Sequence, residues 1–181
     1  YPDGTVMKRF TVITPAQNAD VIISVCKLKT HMFTKFSGAV KNTFGVVPGL
    51  DKPVFHSRFV DQQDFSEMLV DLNELIGVDF VIMDAVVGME GNGPMGGDPT
   101  FCGYVLASNS VYGLDYSAQR LIGMDPDQIA TTAAARRRGL LDTVEERGDT
   151  IVPVQNFVLP ATYAGPQRNT RLRRMILTRM Q

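Results

Sequence analysis

The chain has 181 residues, 44% of them hydrophobic and 20% charged, which predicts one compact globular domain and excludes a disordered or collagen-like polypeptide. The formal net charge of -1 hides an asymmetry: residues 168–181 carry five Arg and no acid, so that 13 of the 18 basic residues remain to set against 19 acidic ones. The body is acidic, and a basic tail without a recognition motif does not make a nucleic-acid-binding protein.

No apolar run reaches the ~18 residues needed to cross a bilayer, and the opening Tyr1-Pro2-Asp3-Gly4 has no leader pattern, so neither a membrane partner nor an anchor is expected and a cytoplasmic location is favoured. A first residue other than Met suggests a piece cut from a longer protein. Two cysteines, Cys26 and Cys102, are too few for a disulfide framework or an iron–sulfur motif, so no cluster is expected on this chain. Cys26 lies in an apolar run and reads as a buried, inert thiol, with Cys102 left open.

In chain order, residues 5–14 read as a strand before Pro15, and the β-branched run 20–26 reads as a strand covered on both faces. Residues 34–44 suit a short helix, followed by an irregular loop set by Gly45, Pro48, Gly49 and Pro53. Asp64 and Glu67 resemble a capping box, opening a helix whose stripe of Phe65, Met68, Leu69, Leu72, Leu75 and Ile76 stops at Gly77. A second buried strand is expected at 79–87, a glycine-rich loop after it, and a strand at 103–108. Helices are predicted from Ser110 to Ile122 and from Asp125-Pro126 to Arg138, then a last strand at 150–159. Alternating strands and helices indicate an α/β fold: a mostly parallel or mixed sheet covered by helices, three-layer, spanning residues 1–165 as one domain with a basic, helical segment at 166–181.

In such folds ligands bind beyond the carboxyl ends of strands, so the residues after each apolar run draw attention. Lys27, Lys29 and His31 would point the same way if the first buried strand continued, and Lys41 and Asn42 could close over the same place. Ammonium groups gathered there suit a phosphate or carboxylate, and the competing reading is ordinary solvated surface. The second run yields Asp84 and then Gly88-Met89-Glu90-Gly91-Asn92-Gly93-Pro94, whose glycines Gly91 and Gly93 permit close backbone approach and whose Asp84, Glu90 and Asn92 offer acceptors. Glu90 is the leading general-base candidate, with His31 and Asp84 beside it; local turn-stabilising hydrogen bonds are the plain alternative for these side chains.

Residues 91–96 spell GxGxxG with Asp115 about where a ribose-binding acid would fall, but no helix is expected to open there, so the dinucleotide reading is weak. The P-loop, nucleophile-elbow and HExxH patterns are missing. Two His exclude a His-rich metal site; a mixed site of His31 or His56 with Asp84 or Glu90 is a lesser alternative, and no metal ligand is assigned. His56 reads as a surface or gating residue, and Arg136-Arg137-Arg138 as a response to a helix dipole.

The segments KLKTHMFTKFSGAVKNTFGVVPG (27–49) and DAVVGMEGNGPMGGDP (84–99), in this order, resemble the domain of unknown function 362 family over roughly residues 18–150. The resemblance marks Lys27, Lys29, His31, Gly38, Lys41, Asn42, Gly45, Asp84, Glu90, Gly91, Asn92 and Gly93. Many members also carry a ferredoxin-like region with cysteine-rich cluster motifs, which this chain lacks, so the resemblance implies a redox-associated setting and a ferredoxin-like domain or partner. The reading that follows is an enzyme-like domain holding a small anionic ligand or cofactor, of unknown identity, between the Lys/His cluster and the glycine-rich acidic loop. Its alternative is a non-catalytic binding or scaffold module for an iron–sulfur partner.

Overall fold

A computed structural model describes residues 3–163. In chain order these hold α1 (Thr14–Gln17), β1 (Ile23–His31), β2 (Lys35–Ser37), α2 (Ala39–Asn42), α3 (Lys52–Arg58), α4 (Gln62–Ile76), β3 (Phe80–Glu90), β4 (Asp98–Ser108), α5 (Val111–Leu121) and α6 (Ala130–Arg137). Short 3-10 turns at Thr43–Val46 and Pro126–Gln128 extend α2 and precede α6. The strands form one mixed sheet in the order β2-β1-β3-β4, with β1 and β3 parallel and the two outer pairs antiparallel. The expected α/β class and three layers hold: α2 and α5 lie on the sheet, and α4 and α6 pack against them and each other.

Covering on both faces does not hold. Along β1, Ser24, Cys26, Leu28 and Thr30 are buried while Ile23, Val25 and Lys27 are exposed, the alternation of a strand with one face toward the core. An unbroken apolar run is therefore compatible with an open face, since Ile23 and Val25 simply stand in solvent.

Other boundaries differ for local reasons. Residues 5–14 form no strand, because the amides of Thr5, Val6 and Met7 all donate to the Asp71 carboxylate instead of a ladder. The expected helix 34–44 is split: Lys35 takes a left-handed φ of 65°, making a hairpin into β2, and helix begins only at Ala39. Asp61, not Asp64, caps α4, accepting from the amides of Gln63 and Asp64, while Gly77 ends it in the left-handed conformation as expected. Glu67, freed from a capping role, pairs with Arg137 at 2.7 Å. Within the expected loop after Gly49, Pro53 sits in the first turn of α3.

The glycine-rich stretch is the turn of a long β3–β4 hairpin, since pairing runs from Val81↔Ser108 to Glu90↔Asp98. No helix opens after the GxGxxG residues, in keeping with the weak reading of that pattern. The segment 150–159 makes no strand. The domain boundary at 165 and the basic segment 166–181 lie outside the described residues.

Candidate functional site

The structure distributes the sequence-predicted residues over three places. On the open sheet face, Lys27 and Asp84 are register partners and form a 2.7 Å ion pair, half-exposed on both sides. The Lys27 ammonium and the Val86 amide hold the Asp84 carboxyl below its usual range. Lys29 registers with Met89 on the same sheet.

At the carboxyl end of β1, on the way into α2, a second group gathers around the ring of Phe44. Lys41 Nζ lies 5.8 Å and Lys52 Nζ 5.9 Å from its centroid, and the His56 ring meets it edge-on at 6.0 Å. His56 also stacks on Phe65 at 4.7 Å, which fixes the imidazole plane. His31, 8% exposed, is close enough for the charges of Lys41 and His56 to act on it. Its Nδ1 accepts from the amides of Phe33 and Thr34 at 3.0 and 3.2 Å, so the neutral ring carries its proton on Nε2. Burial, then Lys41, then His56 push the His31 pKa down to about 4. Burial first and the neighbouring Lys52 second lower Lys41, and burial with Lys41 lowers His56. Among the described residues no carboxylate pairs with Lys41 or Lys52. Asn42 instead pins α2 to β1, its Nδ2 donating to Ser24 Oγ at 2.9 Å.

The third place is the glycine-rich hairpin turn, where the acceptors are already engaged. Glu90 Oε2 accepts from the Val158 amide at 2.8 Å, Asn92 Oδ1 from the Ala161 amide at 3.0 Å, and the Gly91 amide donates to the Val158 carbonyl at 2.7 Å. Gly93 accepts from the Met32 amide and lies so close to the Thr30 carbonyl that a Cβ would collide with it. The bonds of Glu90 and Asn92 run to a distant strap, residues 157–163, and not within the turn as the plain alternative had it; of the three acceptors only Asp84, accepting from the Val86 amide, bonds locally. Glu90 adjoins Met89, the register partner of Lys29, but successive strand residues face opposite ways, so Glu90 turns from the side Lys29 occupies.

Two open concavities occur among the described residues, of about 820 Å³ beside Arg9, Asp20 and Asp79 and about 340 Å³ beside Asp125 and Tyr163. Neither is lined by Lys27, Lys29, His31, Lys41 or Glu90. No set of three His, Cys, Asp or Glu side chains suited to a metal comes together among the described residues, and the mixed site of a His with Asp84 or Glu90 is not assembled. Burial pushes the Cys26 thiol up to about 12, and Cys102, also buried, is raised for the same reason. Asp115, the ribose candidate, is buried and accepts from the amides of Ala39 and Val40, capping α2 from α5.

Sequence reading passed over Lys52 as a ligand, while His56, read as a surface residue, is exposed as expected. They stand four residues apart on α3, one helical face, and the signal was Pro53 at a helix start rather than in a loop.

An α/β domain with a mixed sheet, one sheet face left open among the described residues and a cationic rim whose lysines make no ion pair there is the class these features define. The chain belongs to the family described as Domain of unknown function (DUF362), whose model matches residues 1–120. It is 42% identical over 132 residues to a thylakoid-associated protein of Synechocystis sp., a match taking in 72% of this chain and 41% of that relative. No solved structure matches. No helix among the described residues is long and apolar enough to cross a membrane.

Proposed function

We propose that this domain binds a small anion, phosphate- or carboxylate-bearing, at the rim formed by Lys41, Lys52, His31 and His56. One observation carries the reading: Lys41, Lys52 and His56 converge on Phe44, His31 lies near enough to feel Lys41 and His56, and neither lysine is ion-paired among the described residues. A partly buried ammonium without a counter-charge is costly, and an incoming oxyanion supplies that counter-charge through charge-assisted hydrogen bonds. Lys41 and Lys52 are the charge donors. His31 contributes a neutral Nε2–H, and because its Nδ1 is already an acceptor for two amides, it serves as donor rather than as base. Lys27 and Asp84 neutralise each other on the open face, and Glu90 and Asn92 hold the strap, so the anion is placed on the rim rather than between lysines and the glycine-rich turn.

Any redox use of such a ligand rests on the family resemblance. The scaffold reading draws nothing from the described residues, since the basic tail lies outside them and the lysines divide between two faces.

Titration calorimetry with inorganic phosphate and with citrate tests the assignment. Saturable binding is expected, weakened roughly 10-fold or more by Lys41→Gln or Lys52→Gln, as loss of one charge-assisted contact implies. Absence of binding with both probes at millimolar concentration, or affinity indifferent to both substitutions, overturns it.

A further inference from the structure

The bare face of the sheet is built in rows. Ile23 faces Phe80, Val25 faces Ile82 and then Ala107, and Lys27 faces Asp84 and then Val105. Beyond the β-bulge, Phe101 folds its ring over Gly103 on this same face. Ile23 is 58% exposed, Val25 66%, Val105 64% and Phe101 74%. A mixed sheet can leave one face in water, but such a face is ordinarily lined by polar side chains, whereas this one carries large apolar ones, an arrangement that fits a partner surface. We propose that the face is an interface between two copies of this chain, packed sheet on sheet.

The patch has the size and the self-complementarity such a pair requires. With roughly 150–250 Å² on offer from one exposed aromatic side chain, the apolar rows present on the order of 600 Å². That lies at the top of the roughly 300–600 Å² that the largest apolar patch of a monomer covers, and approaches the ~800 Å² per partner of a standard interface. A two-fold interface must complement itself, and this one carries one cation and one anion side by side in the middle of its apolar rows, Lys27 and Asp84. Each can meet its opposite across the two-fold axis, closing a four-charge ring as the flanking valines exclude water. Aligned sheets pack about 10 Å apart, a spacing that Val25, Val105 and Phe101 fill from both sides.

Sedimentation velocity on the full 181-residue chain decides this. A reversible dimer is expected at micromolar concentration, weakened roughly 30-fold or more by Val25→Asp or Phe101→Asp, the size of an interface hot spot. Circular dichroism confirms that each variant is folded, and a charge swap gives a second readout. Lys27→Asp alone and Asp84→Lys alone are each expected to be monomeric, whereas an equimolar mixture of the two forms the dimer. A monomer at all concentrations, or a dimer untouched by these changes, overturns the proposal. So does a chain that dimerises only after removal of residues 164–181, or a face that binds lipid vesicles in place of a second copy.

Discussion

The imidazole of His31 is neutral because the fold encloses it, gives its Nδ1 two backbone amides and sets Lys41 and His56 near it. Its pKa falls from the usual 6.5 to about 4, so between those values the unfolded chain binds more protons than the folded one. Stability contributed by neutral His31 is full above pH 6.5 and is lost as pH falls toward 4, by roughly 3 kcal/mol at most. Asp115 runs the other way: burial raises it to about 7, so its ionisation weakens the fold as pH rises toward neutrality. His31→Asn keeps an acceptor for the two amides without titrating. Denaturant unfolding at pH 4 to 7 is expected to show a smaller loss on acidification in this variant than in the wild type, and equal slopes would refute the assignment. The residue types at this rim were legible in advance, since Lys41 and His31 stood out by chemistry alone. Their setting was not: α2, which carries Lys41, is held at its first turn by Asp115 of α5, 76 positions beyond Ala39, and such a partner leaves no mark in the local sequence.

At the scale of elements, the hairpin turn between β3 and β4 acts as a clasp. Its glycines are required where the chain presses on Thr30, and its Glu90 and Asn92 fasten the strap 157–163 across the end of β1, where Thr162 Oγ1 also donates to the Met32 carbonyl at 2.6 Å. Glu90→Ala combined with Asn92→Ala is therefore expected to speed proteolysis within 157–163 several-fold while leaving phosphate affinity at the rim within about 2-fold, each lost bond being worth about 1 kcal/mol. Limited proteolysis followed by mass spectrometry reads the first effect and calorimetry the second. A catalytic or ligating Glu90 would give the reverse pattern. Elements that satisfy themselves locally were read well: α4 shows its apolar stripe and its Gly77 stop, and α5 its Ser110 cap. Elements whose hydrogen bonds go to distant partners were misread, which is why 150–159 and 5–14 looked like strands. Apolar alternation says that a segment is half-buried and extended, but not whether a neighbouring strand accepts its amides.

For the whole molecule, the outer layer of α4 with α6 is joined to the N-terminal segment through one buried carboxylate. Asp71, fully buried on α4, accepts the amides of Thr5, Val6 and Met7 and a 2.8 Å contact from Arg138 just beyond α6. It thus joins the N-terminal segment, α4 and the end of α6 at one point. The arginine run at the end of α6 is explained by these partners as much as by a helix dipole, with Arg136 on Asp127 and Arg137 on Glu67. Class and layer number followed from the alternation of elements. The bare face did not, because an apolar run has the same composition whether its outward residues meet helices, a second sheet or water. Removing Asp71 leaves three amides without their acceptor and Arg138 with only its longer, 3.7 Å pairing to Glu67, so Asp71→Ala is expected to cost about 3–5 kcal/mol, the usual penalty for breaking a buried pair. In a chain of this size that lowers the melting temperature by roughly 6–20 °C, measurable by scanning calorimetry. The double variant Asp71→Ala with Arg138→Leu removes the orphaned charge and is expected to recover part of the loss, whereas additive losses would show that the two side chains act independently.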